Sequence, residues 1–141
     1  MKKYIIKYAF FTIYILILLK LTLFRQTTLE NYEINFTLFI DLINVYKNSG
    51  LWQFIRLFLG NIVWFVPLGF MLPKMLKKCN FITVTLSGCL FSLLIEILQL
   101  VLKKGICEID DLILNIAGTM IGYAVYKIIQ RINANLTRAC Y

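Results

Sequence analysis

Long apolar stretches and short polar stretches alternate along this chain. Apolar runs cover about residues 4–24, 52–72, 81–102 and 109–130, and lysine, arginine or other polar residues bound each run. Because a membrane-spanning helix needs about 20 mostly apolar residues, the pattern predicts an all-α, polytopic membrane protein with four transmembrane helices. Only residues 103–108 separate the last two runs, so helices 3 and 4 are predicted to form a short hairpin.

Residues 25–50 break this pattern, because they are polar and show no regular apolar period. Their apolar residues are too few to cross a bilayer, so we expect an irregular outer loop that lies on the membrane surface or dips partly into it. Pro73 is expected to end the second helix, since proline has no N–H group to donate. Four spans leave no room for a soluble core, and residues 1–141 are therefore interpreted as one membrane domain.

The composition agrees with a protein embedded in the lipid bilayer, which is therefore a predicted partner. The residues are 60% hydrophobic, and the mean hydropathy is +0.78. The formal charge of +8 does not indicate nucleic-acid binding, because the basic residues cluster at the ends of apolar runs. The chain has no histidine, and its four cysteines lack CxxC spacing, so no metal site is predicted. The sequence identifies neither a cofactor nor the oligomeric state, and both stay unknown.

The basic residues also predict the orientation in the cell membrane. With the N-terminus inside, nine lysines and arginines lie in the cytoplasm: Lys2, Lys3, Lys7, Lys74, Lys77, Lys78, Lys127, Arg131 and Arg138. Five lie outside: Arg25, Lys47, Arg56, Lys103 and Lys104. Because cytoplasmic loops carry the excess of basic residues, both termini are predicted to be cytoplasmic.

Polar and small residues recur on one face of each of the last two helices. Spacings of three and four residues align Gly88, Ser92, Glu96 and Gln99 in the third helix, and Asp111, Asn115, Gly118 and Gly122 in the fourth. Gly118 and Gly122 form a GxxxG pair, which favours close contact between helix backbones. Apart from Asp110 and Asp111 in the first turn of the fourth run, Glu96 is the only acid inside an apolar run, and because a charge in the bilayer is costly, we expect it to face the bundle interior with a partner.

The hairpin brings the polar ends of helices 3 and 4 together, and the second helix adds Asn61 near its own outer end. We therefore predict one pocket, open to the outer surface, formed by Asn61, Glu96, Gln99, Lys104, Asp110, Asp111 and Asn115. A structural role is the alternative for each residue, since aspartates cap helix N-termini and amides join membrane helices. The concentration of the whole set on one side of the membrane favours a functional site.

Three sequence blocks resemble the VanZ-like family in order and spacing. They are NIVWFVPLGF from Asn61, EILQ from Glu96 and IDDLILNIAGTMIGY from Ile109. The namesake of the family is associated with resistance to teicoplanin, a glycopeptide antibiotic that acts at the cell surface. The resemblance therefore implies a small integral membrane protein that alters antibiotic susceptibility. Lys104 stands where many relatives have arginine, and a lysine binds phosphate or carboxylate as a point charge without the bidentate fork.

Three functions remain open at this point. The first is a non-enzymatic protein that binds a lipid-linked envelope precursor or a glycopeptide, with Lys104 meeting an anionic group and Glu96, Asp111 and Asn115 forming hydrogen bonds. The second is an enzyme acting on a lipid-linked phosphate or sugar through Glu96, Asp110 and Asp111, with or without a divalent ion. The third is a small transporter subunit with Glu96 as proton carrier. The lack of an obvious nucleophile and base favours the first.

Overall fold

The described residues form four helices and two short strands. The computed structural model describes residues 2–23, 34–35, 37, 39–76, 79–103 and 107–139. The helices are α1 (Lys2–Leu23), α2 (Ile40–Met75), α3 (Phe81–Val101) and α4 (Ile109–Ala139). Each contains a segment long and apolar enough to cross a membrane, which confirms the predicted fold class. Two short strands, β1 (Ile34–Asn35) and β2 (Cys107–Glu108), pair in parallel beside the turn between α3 and α4.

The start of α2 differs from the sequence-based expectation. Residues 40–49 are helical, whereas the sequence predicts an irregular loop there. The segment is too short to span a bilayer, but this length test does not exclude a surface helix, and Leu42 is buried. Gly50 then interrupts the helix with φ 84° and ψ 173°, a conformation that glycine adopts without a steric penalty. The helix resumes after Gly50, within a candidate membrane span that covers Leu42–Met75.

The end of α2 also differs from the prediction. Pro73 lies inside the last turn, and the helix continues to Met75 before Leu76 becomes extended. Proline's own φ is compatible with a helix, so the chain can complete a turn that already contains it. The next helix begins with a reciprocal cap. The Asn80 side chain accepts a hydrogen bond from the backbone N–H of Thr83 at 2.8 Å, and the Thr83 hydroxyl accepts one from the N–H of Asn80 at 2.9 Å.

The tightest packing joins α2 and α4, which run parallel. A Cβ atom added at Gly118 would overlap the carbonyl oxygen of Ile62, and one added at Gly122 would overlap that of Val66. Gly69 lies equally close to the backbone of Thr119. The two helix backbones are therefore in direct contact, which confirms the close approach predicted from the GxxxG pair. We call this contact the glycine seam, formed by Gly69, Gly118 and Gly122.

Beside the seam, a small apolar core joins α1, α2 and α3. Its buried members are Leu18, Phe65, Leu68 and Ile95. The rings of Phe65 and Phe91 pack with their centroids 6.3 Å apart, and the Tyr14 hydroxyl donates a hydrogen bond to the carbonyl oxygen of Trp64 at 2.7 Å. This core holds three helices together directly beneath the end of the bundle that carries the predicted site.

Candidate functional site

A cavity of about 440 Å³ lies at the end of the bundle where α3 ends and α4 begins. All four helices contribute to its wall. Of the predicted site residues, five line it: Asn61, Glu96, Gln99, Asp111 and Asn115. Lys104 lies outside the residues that the structure describes. Asp110 is not among the lining residues. Five of the thirteen residues that line the cavity are therefore ones that the sequence spacing singles out, and their role in a functional site stays a prediction.

The polar face of α4 is joined to both neighbouring helices. The Asn61 amide of α2 donates a hydrogen bond to the Asp111 carboxylate. The Asn115 amide donates to the Ser92 hydroxyl of α3 at 2.9 Å, and both residues are buried. One turn further along, the Thr119 hydroxyl donates to the carbonyl oxygen of Asn115 at 3.0 Å. These bonds fix the positions of the amides and of Asp111 at the cavity wall.

Glu96 occupies the interior of the bundle with only 3% of its surface exposed. One of its carboxylate oxygens accepts a hydrogen bond from the backbone N–H of Glu108 at 3.2 Å. Glu108 belongs to β2, so the carboxylate connects the end of α3 to the segment that precedes α4. A buried carboxylate needs such partners. Glu96 therefore has a structural contact as well as a place in the cavity wall.

Gln99 is a buried side chain with a hydrogen bond to only one end of its amide group. It is 6% exposed, and its amide nitrogen donates to the carbonyl oxygen of Thr22 in α1 at 3.0 Å. Within the described part of the chain, its buried amide oxygen Oε1 has no hydrogen-bond partner. Leaving a buried acceptor unsatisfied costs about 1–3 kcal/mol. This oxygen is therefore a site where a bound donor group adds a favourable interaction.

Asp110 and Asp111 are adjacent in sequence but have different partners. Both oxygens of Asp110 accept from the backbone N–H of Phe39, at 3.0 and 2.9 Å, so Asp110 holds the start of α2. Asp111 instead accepts a hydrogen bond from the amide of Asn61 at the cavity wall. Among the described residues, no group of three or more cysteine, aspartate or glutamate side chains could hold a metal ion.

Sequence reasoning missed several residues that line the cavity, two of them on the exposed side of α2. Arg56 and Trp64 of α2 both line it and are both exposed. A signal was present, because Arg56, Gly60 and Trp64 recur every four residues and therefore share a helix face with each other. The contribution of α1, through Leu21 and Thr22, had no such signal, since the apolar end of α1 carries no distinctive spacing.

Comparison with known sequences agrees with the resemblance noted from the three blocks. The sequence model of the VanZ/LLP1 family matches residues 11–130. The matched range contains all five predicted residues that line the cavity. No match is found among curated proteins or among solved structures.

Proposed function

The chain belongs to the VanZ/LLP1 family, and from this premise we propose that it acts at the outer face of the cytoplasmic membrane by binding an envelope molecule. The ligand is the polar part of a lipid-linked envelope precursor or of a glycopeptide such as teicoplanin. Binding changes the susceptibility of the cell to glycopeptides. The observation that carries this proposal is the buried Gln99 oxygen in the cavity wall, which has no hydrogen-bond partner among the described residues and therefore offers a ligand an unused acceptor.

Binding is favoured over catalysis by the contacts of the acidic residues. Asp110 is turned toward Phe39 and Asp111 toward Asn61, so the pair does not offer two carboxylates to one magnesium ion. The Asn115 amide is held by a hydrogen bond to the Ser92 hydroxyl, and the Asn61 amide by one to the Asp111 carboxylate, as in a preformed binding site. Loss of protection on chelation of divalent ions would favour the enzymatic alternative instead.

The proposal is tested by the antibiotic susceptibility of a sensitive Gram-positive host that expresses the chain. Wild type is compared with Glu96→Gln, Asp111→Asn and Gln99→Met at matched membrane levels, against teicoplanin and vancomycin. We expect wild type to raise the inhibitory concentration of teicoplanin and each cavity variant to lose that protection. Gln130→Met is the matched control, because Gln130 is exposed on α4 far from the cavity. If wild type protects against neither drug, the proposal is contradicted.

The location of the cavity on the outer side is a separate part of the proposal. It is supported by the excess of basic residues predicted to be cytoplasmic. The test introduces single cysteines, Trp52→Cys or Asn133→Cys, into a cysteine-free background. Trp52 lies at the cavity end of α2 and Asn133 near the end of α4, and both are exposed. An impermeant maleimide added to intact cells should label position 52 at once and position 133 only after lysis. The reverse labelling pattern would place the cavity in the cytoplasm.

A further inference from the structure

The cavity has a cationic edge and an acceptor-rich interior. Arg56 lines the cavity and is exposed. Gln99 Oε1 and the buried Glu96 carboxylate lie in the interior. An anionic group is attracted by Arg56, whose planar guanidinium binds phosphate in a bidentate fashion. A ligand therefore fits with its anion at the edge and its hydrogen-bond donors inside.

The edge also carries apolar surface that faces outward. Leu21 of α1 is 45% exposed and Trp64 of α2 is 44% exposed, yet both line the cavity. Deeper in the bundle the Tyr14 hydroxyl joins α1 to the carbonyl of Trp64. Exposed apolar residues on spanning helices contact lipid tails. The wall between α1 and α2 thus connects the polar cavity to the hydrocarbon region, where the chain of an amphipathic ligand can remain.

We propose that the cavity recognises a lipid phosphodiester whose headgroup carries hydroxyl or amide donors. Arg56 binds the phosphate, and Gln99 Oε1 accepts a hydrogen bond from the headgroup. The lipid chain extends between Leu21 and Trp64 into the hydrocarbon region. The inference rests on the proposed function, since it names the ligand class of the same cavity. It assigns the anion to Arg56, a residue outside the set predicted from the sequence.

The experiment measures lipid competition at Trp64 in the full chain, purified in mild detergent. The chain has two tryptophans, so Trp52→Phe leaves Trp64 alone, and phosphatidylglycerol with brominated acyl chains quenches its fluorescence. Unlabelled phosphatidylglycerol, which has phosphate and hydroxyl donors, should compete about tenfold better than phosphatidylcholine, which lacks the donors. It should also compete about tenfold better than glucosyl diacylglycerol, which lacks the phosphate. A tenfold difference in affinity is about what the loss of one charge-assisted hydrogen bond produces.

Two variants assign the preferences to residues. Arg56→Gln should abolish the preference over glucosyl diacylglycerol, and Gln99→Met should abolish the preference over phosphatidylcholine. Arg131→Gln and Gln130→Met are the matched controls, since both residues are exposed on α4, and they should keep both preferences. Arg56 is itself exposed, so its replacement leaves the packing intact even if Gln99→Met fails to fold. Millimolar glycerol phosphate and inorganic phosphate should not compete.

The outcomes separate this inference from the proposed function. Equal competition by the three lipids, an intact preference in Arg56→Gln, or displacement by soluble phosphate overturns the inference. Lipid preference without any glycopeptide protection supports the inference and contradicts the proposed function. Protection that depends on Glu96 and Asp111, without lipid preference, supports the proposed function and overturns the inference.

Discussion

The helices α2 and α4 meet in two different ways. At the glycine seam, their backbones touch because Gly118 and Gly122 present no side chain to Ile62 and Val66. Toward the start of α4, polar side chains replace this backbone contact: Asn61 of α2 donates a hydrogen bond to the Asp111 carboxylate, and a cavity opens beside this pair. Residue size thus decides where this pair of helices is packed and where it is hollow. The comparison implies that stability and ligand binding can be altered separately.

The largest effect is expected from adding side-chain volume at the seam. A Cβ at Gly122 would overlap the carbonyl oxygen of Val66 and lie 2.9 Å from the backbone nitrogen of Phe70. Backbone atoms of a packed helix cannot move aside as a flexible side chain can, so Gly122→Val should destabilise the protein by more than about 3 kcal/mol. Thermal unfolding in detergent, followed by size-exclusion chromatography, measures this loss.

A glycine from the hollow part of the interface provides the control. A Cβ added at Gly60 meets no atom within 4 Å, and alanine is a better helix former than glycine by about 1 kcal/mol. Gly60→Ala should therefore be as stable as wild type or slightly more stable. Equal melting temperatures for Gly122→Val and Gly60→Ala would mean that the seam is not a close contact.

The seam was predictable because its signal is local. The GxxxG spacing needs only one helix to be recognised, and the run lengths that identify four spans are equally local. The partner of the seam was not predictable, since nothing in the sequence says that Gly118 meets Ile62 rather than a residue of α3. The helix at residues 40–49 was missed because a segment too short to span was judged by its apolar count alone.

A smaller effect should separate the neighbouring carboxylates. Asp110→Asn weakens the pair of hydrogen bonds from Phe39, and hydrogen bonds to charged groups contribute about 1.5–3 kcal/mol. We expect faster hydrogen exchange at the start of α2, and an unchanged lipid preference. Asp111→Asn should leave that exchange unchanged and impair antibiotic protection. Identical consequences for the two variants would remove the distinction between a positioning aspartate and a cavity aspartate.

The division between these two residues explains why only part of the candidate site followed from the sequence. Successive residues of a helix point about 100° apart, so Asp110 and Asp111 cannot share a direction. Which of the two faces the cavity depends on the rotation of α4, and that is set by the seam rather than by the residues themselves. Arg56 was missed for a related reason, because a basic residue near a helix end is also typical of an interfacial anchor.

The smallest effect concerns the polar bonds that border the cavity. Ser92 and Asn115 are buried and joined at 2.9 Å, and a double-mutant cycle with Ser92→Ala and Asn115→Ala should give a coupling of about 0.6 kcal/mol. Such bonds contribute little in membranes, because the unfolded helices find other polar partners. Thr119→Val with Asn115→Ala is the control cycle, since the Thr119 hydroxyl donates to the backbone carbonyl oxygen of Asn115, which Asn115→Ala retains. A coupling of several kcal/mol between Ser92 and Asn115 would show that the polar residues act mainly to join helices. A small coupling, together with lost protection in the cavity variants, favours their role in binding, because they then contribute more to the ligand than to the fold.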